Sequence, residues 1–232
     1  MNRYIDALSE LPTSSWDAYL VENSGLPGPR ANLELADAFA AVASRDAVLE
    51  RAASADEYLR FCGTEALGAI LATDPAASDI VALLKERAAD QLWRVREGAA
   101  RALQLVGDAR PDALCSLAEE WQDDASPYVR RAVLAALAEP RLLADDEVWR
   151  RALEACRTAT ALIADSPLDA RKEPAMRTLR QALGYCWSVV VAASPERGLP
   201  EFQRLRALPD VDVQWIVRSN LTKARLRRLL PE

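Results

Sequence analysis

The sequence predicts an all-α chain, a right-handed α-α superhelix (α-solenoid) of about six antiparallel helix pairs, and three observations carry that prediction. A short motif returns along the chain: an aspartate, then an apolar residue five positions on, then an arginine. Between its copies apolar residues recur at helical spacing, and Gly and Pro sit mostly between those runs. Half of the residues are apolar but only 6% are aromatic, so small side chains, above all alanine, must fill much of the core and let helices approach closely.

The clearest copy lies in residues 90–106, DQLWRVREGAARALQLV, as Asp90, Val95 and Arg96. It recurs as Asp124, Val129, Arg130 and as Asp212, Val217, Arg218. Asp56, Phe61, Cys62 is a copy without the arginine, and Pro174, Leu179, Arg180 is one without the aspartate. The five copies follow one another at steps of 34, 34, 50 and 38 residues. An aspartate before an apolar run accepts free N–H groups at a helix start, which contributes about 1 kcal/mol. The arginine lies two turns on, beside the buried stripe, where its planar fork can reach the acidic turn of the next repeat. Asp90, Arg96, Asp124, Arg130, Arg180, Asp212 and Arg218 are therefore expected to form a structural ladder between repeats.

This Asp and Val-Arg spacing resembles HEAT repeats, antiparallel helix pairs stacked into a curved solenoid, over roughly residues 30 to 229. Tetratricopeptide repeats share the 34-residue step, but their W-x-x-L-G-x-x-Y signature is absent and the later steps break a fixed period. The expected organisation is an N-terminal helical cap at 1–29 and a repeat array at 30–232, together one continuous solenoid domain.

In chain order, residues 2–24 read as two short helices parted by Leu11 and Pro12, with Thr13, Ser14 or Ser15 as caps; they would cover the first repeat's apolar face. Leu26 to Arg30, LPGPR, is a turn. Leu33, Leu35, Ala36, Phe39 and Val42 define an inner helix, Asp46 to Ala53 an outer one, and Asp56 opens the next inner helix. An outer helix starts at Ser78 or Asp79, the 90–106 stretch follows, and Gly107 with Asp108 should stop it. Pro111 opens the helix through Leu114 to Trp121, and Asp124 with Pro127 opens its partner. Asp145 to Ile163 is a longer outer helix, 165–173 a polar loop insertion, and Pro174 to Ala192 the fifth inner helix. Ser194 to Pro200 reads as a turn, Glu201 to Ala207 as a brief outer helix, and Asp212 to Leu229 as the last.

Composition narrows the chemistry. The chain has no histidine, which removes Ser-His-Asp and Cys-His catalysis, H-E-x-x-H zinc sites and the His and Glu metal centre of some HEAT-like hydroxylases. Cys62, Cys115, Cys156 and Cys186 fall singly inside helical runs and read as buried free thiols, not as a zinc or disulfide framework. The carboxylates at Asp123 and Asp124 and at Asp145 to Glu147 sit at helix starts, where capping explains them. No metal and no cofactor is expected. No apolar run approaches the roughly 20 residues that cross a bilayer, and MNRYIDALSELP has no signal-peptide core, so no membrane partner and a cytoplasmic location are expected. The net charge of −6 is uneven: residues 1–60 carry −5 and residues 197–232 carry +4.

With Val95 at the centre of the buried stripe, Trp93, Glu97 and Gln104 face outward. The same construction turns out Pro127 and Arg131, then Arg177, Gln181 and Ser188, then Trp215 and Ser219. These positions form the concave face of a solenoid, and Trp93, Glu97, Arg131, Arg177, Gln181 and Trp215 are its candidate binding residues. An outward Trp has two readings, packing over the neighbouring repeat or serving as a binding hot spot. Trp16, Trp121 and Trp149 fall on outer helices and read as core, with Trp187 at the border of its buried stripe.

The sequence points to a noncatalytic HEAT-repeat scaffold that binds a protein or peptide partner on this face. The alternative resembles the HEAT-like alkylpurine DNA glycosylases, whose family has a basic concave surface with aromatic and aspartate contacts to the damaged nucleotide and needs neither histidine nor metal. Nucleic acid would then meet the basic C-terminal helix carrying Arg218, Lys223, Arg225, Arg227 and Arg228, although the overall acidity opposes it. HEAT-like phycobilin lyases are a third resemblance that no residue here selects.

Overall fold

The computed structural model describes residues 3–230; Met1, Asn2, Pro231 and Glu232 lie outside the described residues, and with them the expected helix start at Asn2. Among the described residues there are fourteen α-helices and no strand. Their contacts cluster into two compact units, residues 1–109 and 110–232.

The first unit holds α1 (Arg3–Glu10), α2 (Trp16–Glu22), α3 (Leu33–Val42), α4 (Arg45–Ala52), α5 (Glu57–Thr73), α6 (Ser78–Ala88) and α7 (Trp93–Ala109). Inner helices α3, α5 and α7 lie side by side, with α4 backing α5 and α6 backing α7. Short polar side chains start them: Asn32, Ser44 and Asp56 accept backbone N–H groups at the first turns of α3, α4 and α5. Glycine lets them touch. A Cβ on Gly63 would lie 2.1 Å from the Ala52 nitrogen, and one on Gly68 would lie 2.2 Å from the Ala102 carbonyl oxygen. As a result α5 is buried at every position from Phe61 to Gly68.

The N-terminal helices do cover this array, α1 packing on α3 and α2 on α5. Arg51 of α4 fastens them. Its guanidinium is buried between the rings of Trp16 and Phe39, at 5.7 and 5.6 Å, and pairs with Asp17 at 2.7 Å. Ser15 precedes α2 without capping it through its side chain.

The second unit holds α8 (Pro111–Trp121), α9 (Pro127–Leu137), α10 (Asp146–Asp165), α11 (Pro174–Ala193), α12 (Pro195–Ala207), α13 (Val211–Leu221) and α14 (Ala224–Arg227). Here α9, α11 and α13 are the inner row, and α8, α10 and α12 pack behind them. The core contains Trp121, Trp149 and Trp187. Trp149 Nε1 donates to the Val190 carbonyl at 2.9 Å and Trp187 Nε1 to the Thr160 hydroxyl at 3.1 Å, so their polar ends are satisfied inside. Asn220, fully buried, bridges α11 and α13: its amide donates to the Leu183 carbonyl and its oxygen accepts from the Ser188 N–H, both at 2.8 Å.

Three expected boundaries move. Helix α7 runs through Gly107 and Asp108 to Ala109, because Gly107 is buried in the packing; the chain breaks instead at Arg110, which Pro111 holds at φ −143° and ψ 79°. Helix α12 begins at Pro195 rather than Glu201. A first-turn proline gives up no intrahelical bond, and buried Phe202 and Leu205 hold the helix on course past Pro200. The last helix is two, parted at Thr222 and Lys223, so the basic residues that follow do not share a helix with Arg218.

Because the Gly68 contact is with backbone, which cannot swing aside, Gly68→Ala is expected to cost about 1–3 kcal/mol in urea unfolding while the far-ultraviolet helical signal persists. An unchanged unfolding midpoint would refute the close-approach account.

Candidate binding faces on the inner helices

In the first unit the inner face is acidic and its cations are engaged. Trp93 opens α7 and is 51% exposed. The Arg94 guanidinium stacks on its ring at 4.6 Å, pairs with Glu57 at 3.2 Å and donates to the Gly28 carbonyl at 3.3 Å. Arg94 also lines a cleft of about 350 Å³ with Val21, Leu26, Pro27, Glu57 and Tyr58. Glu97, one turn from Trp93, is half-buried.

Further along, Arg101 of α7 reaches back across α5 to α3. Its Nε donates to Glu65 at 2.7 Å and its Nη2 to Asp37 at 2.6 Å. Glu65 has no exposed side-chain surface, and burial pushes its carboxyl up to about 8 against the pull of Arg101, with Asp37 adding to the rise. The sequence signal was an acid four residues after Phe61, inside an apolar stripe. It was not read as a site.

The second unit differs. Along α11, Arg177, Gln181 and Tyr185 form the exposed stripe, and Ser188, expected to face outward, is fully buried with its hydroxyl donating to the Tyr185 carbonyl. Four residues separate the members of the true stripe, whereas Ser188 drifts round to the α13 side. Tyr185 is 43% exposed. Arg225 lies over its ring at 4.7 Å and donates to its hydroxyl at 2.8 Å, and Lys223 stands 5.9 Å from the same ring. Next to it, burial pushes the Cys186 thiol up to about 12, against the opposing pull of Arg131 and Arg225. Arg131 on α9 is half-buried.

Trp93 and Trp215 hold equivalent repeat positions but unlike surroundings. Trp215 is half-buried, its ring 3.0 Å from where a Cβ on Gly184 would stand, with Arg180 stacked on it at 4.9 Å. It packs over the neighbouring inner helix.

The motif arginines also bond close to home. Arg96 donates to the carbonyls of Asp90 and Gln91, at 2.6 and 3.0 Å, and Arg130 to those of Asp124 and Asp123, at 2.6 and 3.0 Å. Both guanidiniums donate to carbonyls of their own turn. Asp90 and Asp124 instead cap that turn by accepting the N–H groups of Leu92 and Ser126. A link between repeats does reach Asp90, from Arg60 at 3.2 Å, the arginine of that copy having moved two positions earlier. Arg180 pairs with Asp212, and Arg171 of the inserted loop joins it at 3.3 Å. Asp212 is therefore a buried ion-pair partner, and Asp210 caps α13. Arg218 is exposed and, like Arg177, Lys223 and Arg225, has no carboxylate within 4.0 Å among the described residues.

No group of three or more potential metal ligands occurs among the described residues, and no helix there is long and apolar enough to cross a membrane. All four cysteines are buried and unpaired.

Two expectations follow. Arg130→Ala strips the turn carbonyls of their donor, one of them part-buried, and should destabilise by about 1–2 kcal/mol, whereas Arg177→Ala should leave the melting temperature nearly unchanged. Glu65 binds its proton more tightly folded than unfolded, so stability should fall as pH rises from about 4.5 to about 8. In Glu65→Gln that slope should be missing when urea midpoints are compared across the window.

A family profile described as HEAT repeats matches residues 45–138. No curated protein sequence matches the chain. Among solved structures, AlkD2 from Streptococcus mutans superimposes with a TM-score of 0.67 at 15% identity, covering 90% of this chain and 98% of that one. A designed armadillo repeat protein in complex with the peptide (KR)4 aligns with a TM-score of 0.40 at 14% identity, over 97% of this chain and 98% of its own. Residues 45–138 are therefore similar to HEAT repeats, and the chain as a whole shares the all-helical, HEAT-like fold of AlkD2.

Proposed function

We propose that this chain is a noncatalytic binding module that takes a protein or peptide segment on the exposed face of its inner helices. The observation that carries the reading is the division of labour between side chains. Groups able to do chemistry are locked away: the thiols are buried, Glu65 is held by Arg101, and Asp212 is held by Arg171 and Arg180. Groups that dominate binding energies stand outside, with Trp93 and Tyr185 half exposed and arginines beside both. The unpaired thiols suit the reducing cytoplasm. A continuous solenoid, capped by residues 1–29, is part of the same proposal.

The second reading is a DNA-binding or repair protein resembling the HEAT-like alkylpurine DNA glycosylases. The aromatic and cationic cluster at Tyr185 favours it. Against it stands the charge of residues 1–109, which carry ten basic and seventeen acidic side chains.

Selection of displayed random peptides on the immobilised protein tests the module. Enriched peptides should bind in solution, and Trp93→Ala or Arg177→Ala should weaken that binding roughly tenfold with no change in melting temperature. Absence of any enriched peptide, together with base release from alkylated duplex DNA, would replace this reading with the second.

A further inference from the structure

We infer that the second unit carries an anion-recognising patch, centred on Tyr185 and rimmed by Lys223 and Arg225, that docks a carboxylate-rich peptide segment. This rests on the binding-module reading and adds the chemistry of the partner.

Elsewhere in the unit, the arginines of the outer helix α10 and its neighbours are given carboxylates. Arg150 and Arg151 both pair with Glu147, Arg157 with Glu201, and Arg197 with Asp146. Beside Tyr185 the pattern stops. Lys223 and Arg225 converge on one ring from 5.9 and 4.7 Å with no carboxylate within 4.0 Å among the described residues, although both pay the repulsion of a second cation. An anion seated at the Tyr185 hydroxyl would relieve that repulsion, and the cations are already positioned to meet it: fully buried Leu226 anchors α14, and the Arg225 fork is held by the hydroxyl.

The geometry favours a peptide. On α11, Arg177, Gln181 and Tyr185 stand at i, i+4 and i+8, about 6 Å apart along the axis. Alternate residues of an extended peptide are spaced by roughly 6.6 Å, so its carboxylates can address Arg177 and the Tyr185 cluster while a backbone amide meets Gln181. Duplex DNA needs phosphate contacts spread along a basic stripe and would approach a chain of net charge −6. A short acidic segment needs only the local field.

The test is fluorescence anisotropy with a labelled peptide of about twelve residues alternating Glu and Ala, its Gln and Ala counterpart, and oligothymidylate of like length, at about 50 and about 200 mM salt. The Glu peptide should bind, weaken with salt and lose roughly tenfold or more in Lys223→Gln with Arg225→Gln. The Gln peptide should not bind. Lys223→Gln alone should give a smaller loss, and a melting curve identical to wild type excludes misfolding as its cause. Equal loss in the control pair Arg30→Gln with Arg206→Gln would show a diffuse charge effect and overturn the patch. Tighter binding of oligothymidylate through the same residues would assign the patch to nucleic acid. If the Glu peptide fails while library-selected peptides bind, the acidic partner is wrong and the module stands.

Discussion

Backbone-to-backbone approach of the inner helices is the constraint from which most of the first unit follows. Gly63 and Gly68 leave no room for a Cβ, and Ala102 presents its own backbone to that surface. Side chains between α5 and its neighbours must then be small, and anything large on α5 is enclosed by helices on each side. Glu65 is enclosed in this way. A lone buried carboxylate would be costly, and Arg101 answers it by reaching from α7 across α5 to Asp37 on α3. Close packing thus draws one guanidinium across three helices, and it removes from the exposed face a cation that would otherwise meet a partner.

Elsewhere arginine does two other jobs. Arg96 and Arg130 fold back to satisfy carbonyls of their own interhelical turns, acting as local caps. Arg60, Arg171 and Arg180 reach an aspartate of the following turn. What separates the two groups is the distance to the nearest unsatisfied oxygen: a turn that offers a bare carbonyl holds its own arginine, and an aspartate on the next turn takes one from another helix. Arg177, Arg218, Lys223 and Arg225 of the second unit are among the cations with no carboxylate within 4.0 Å among the described residues. The candidate binding chemistry draws on cations that the packing leaves without a carboxylate.

The repeat motif was legible in the sequence because it records two local requirements, an acceptor at a helix start and an apolar stripe, and both act within a few residues. Asp56 and Asp145 cap as expected, and the outer-helix tryptophans Trp16, Trp121 and Trp149 are buried. Outward direction was legible to about one helical turn: it located Trp93, Arg177 and Gln181, and it mistook Ser188 for the position that Tyr185 holds. The carbonyls that Arg96 and Arg130 bond were not legible, since the spacing of a motif tells which side a side chain leaves from and not which oxygen is nearest.

The sequence by itself determined an all-α repeat fold, its helix starts and the absence of histidine chemistry, because propensity, capping and composition are properties of short stretches or of the whole count. Only the tertiary structure decided which charges are spent and which remain. Glu65 with Arg101, Asp212 with Arg171, and Tyr185 with Arg225 are separated by 36, 41 and 40 residues along the chain. Pairings at that range are set by the spacing and rotation of packed helices, which no local pattern encodes.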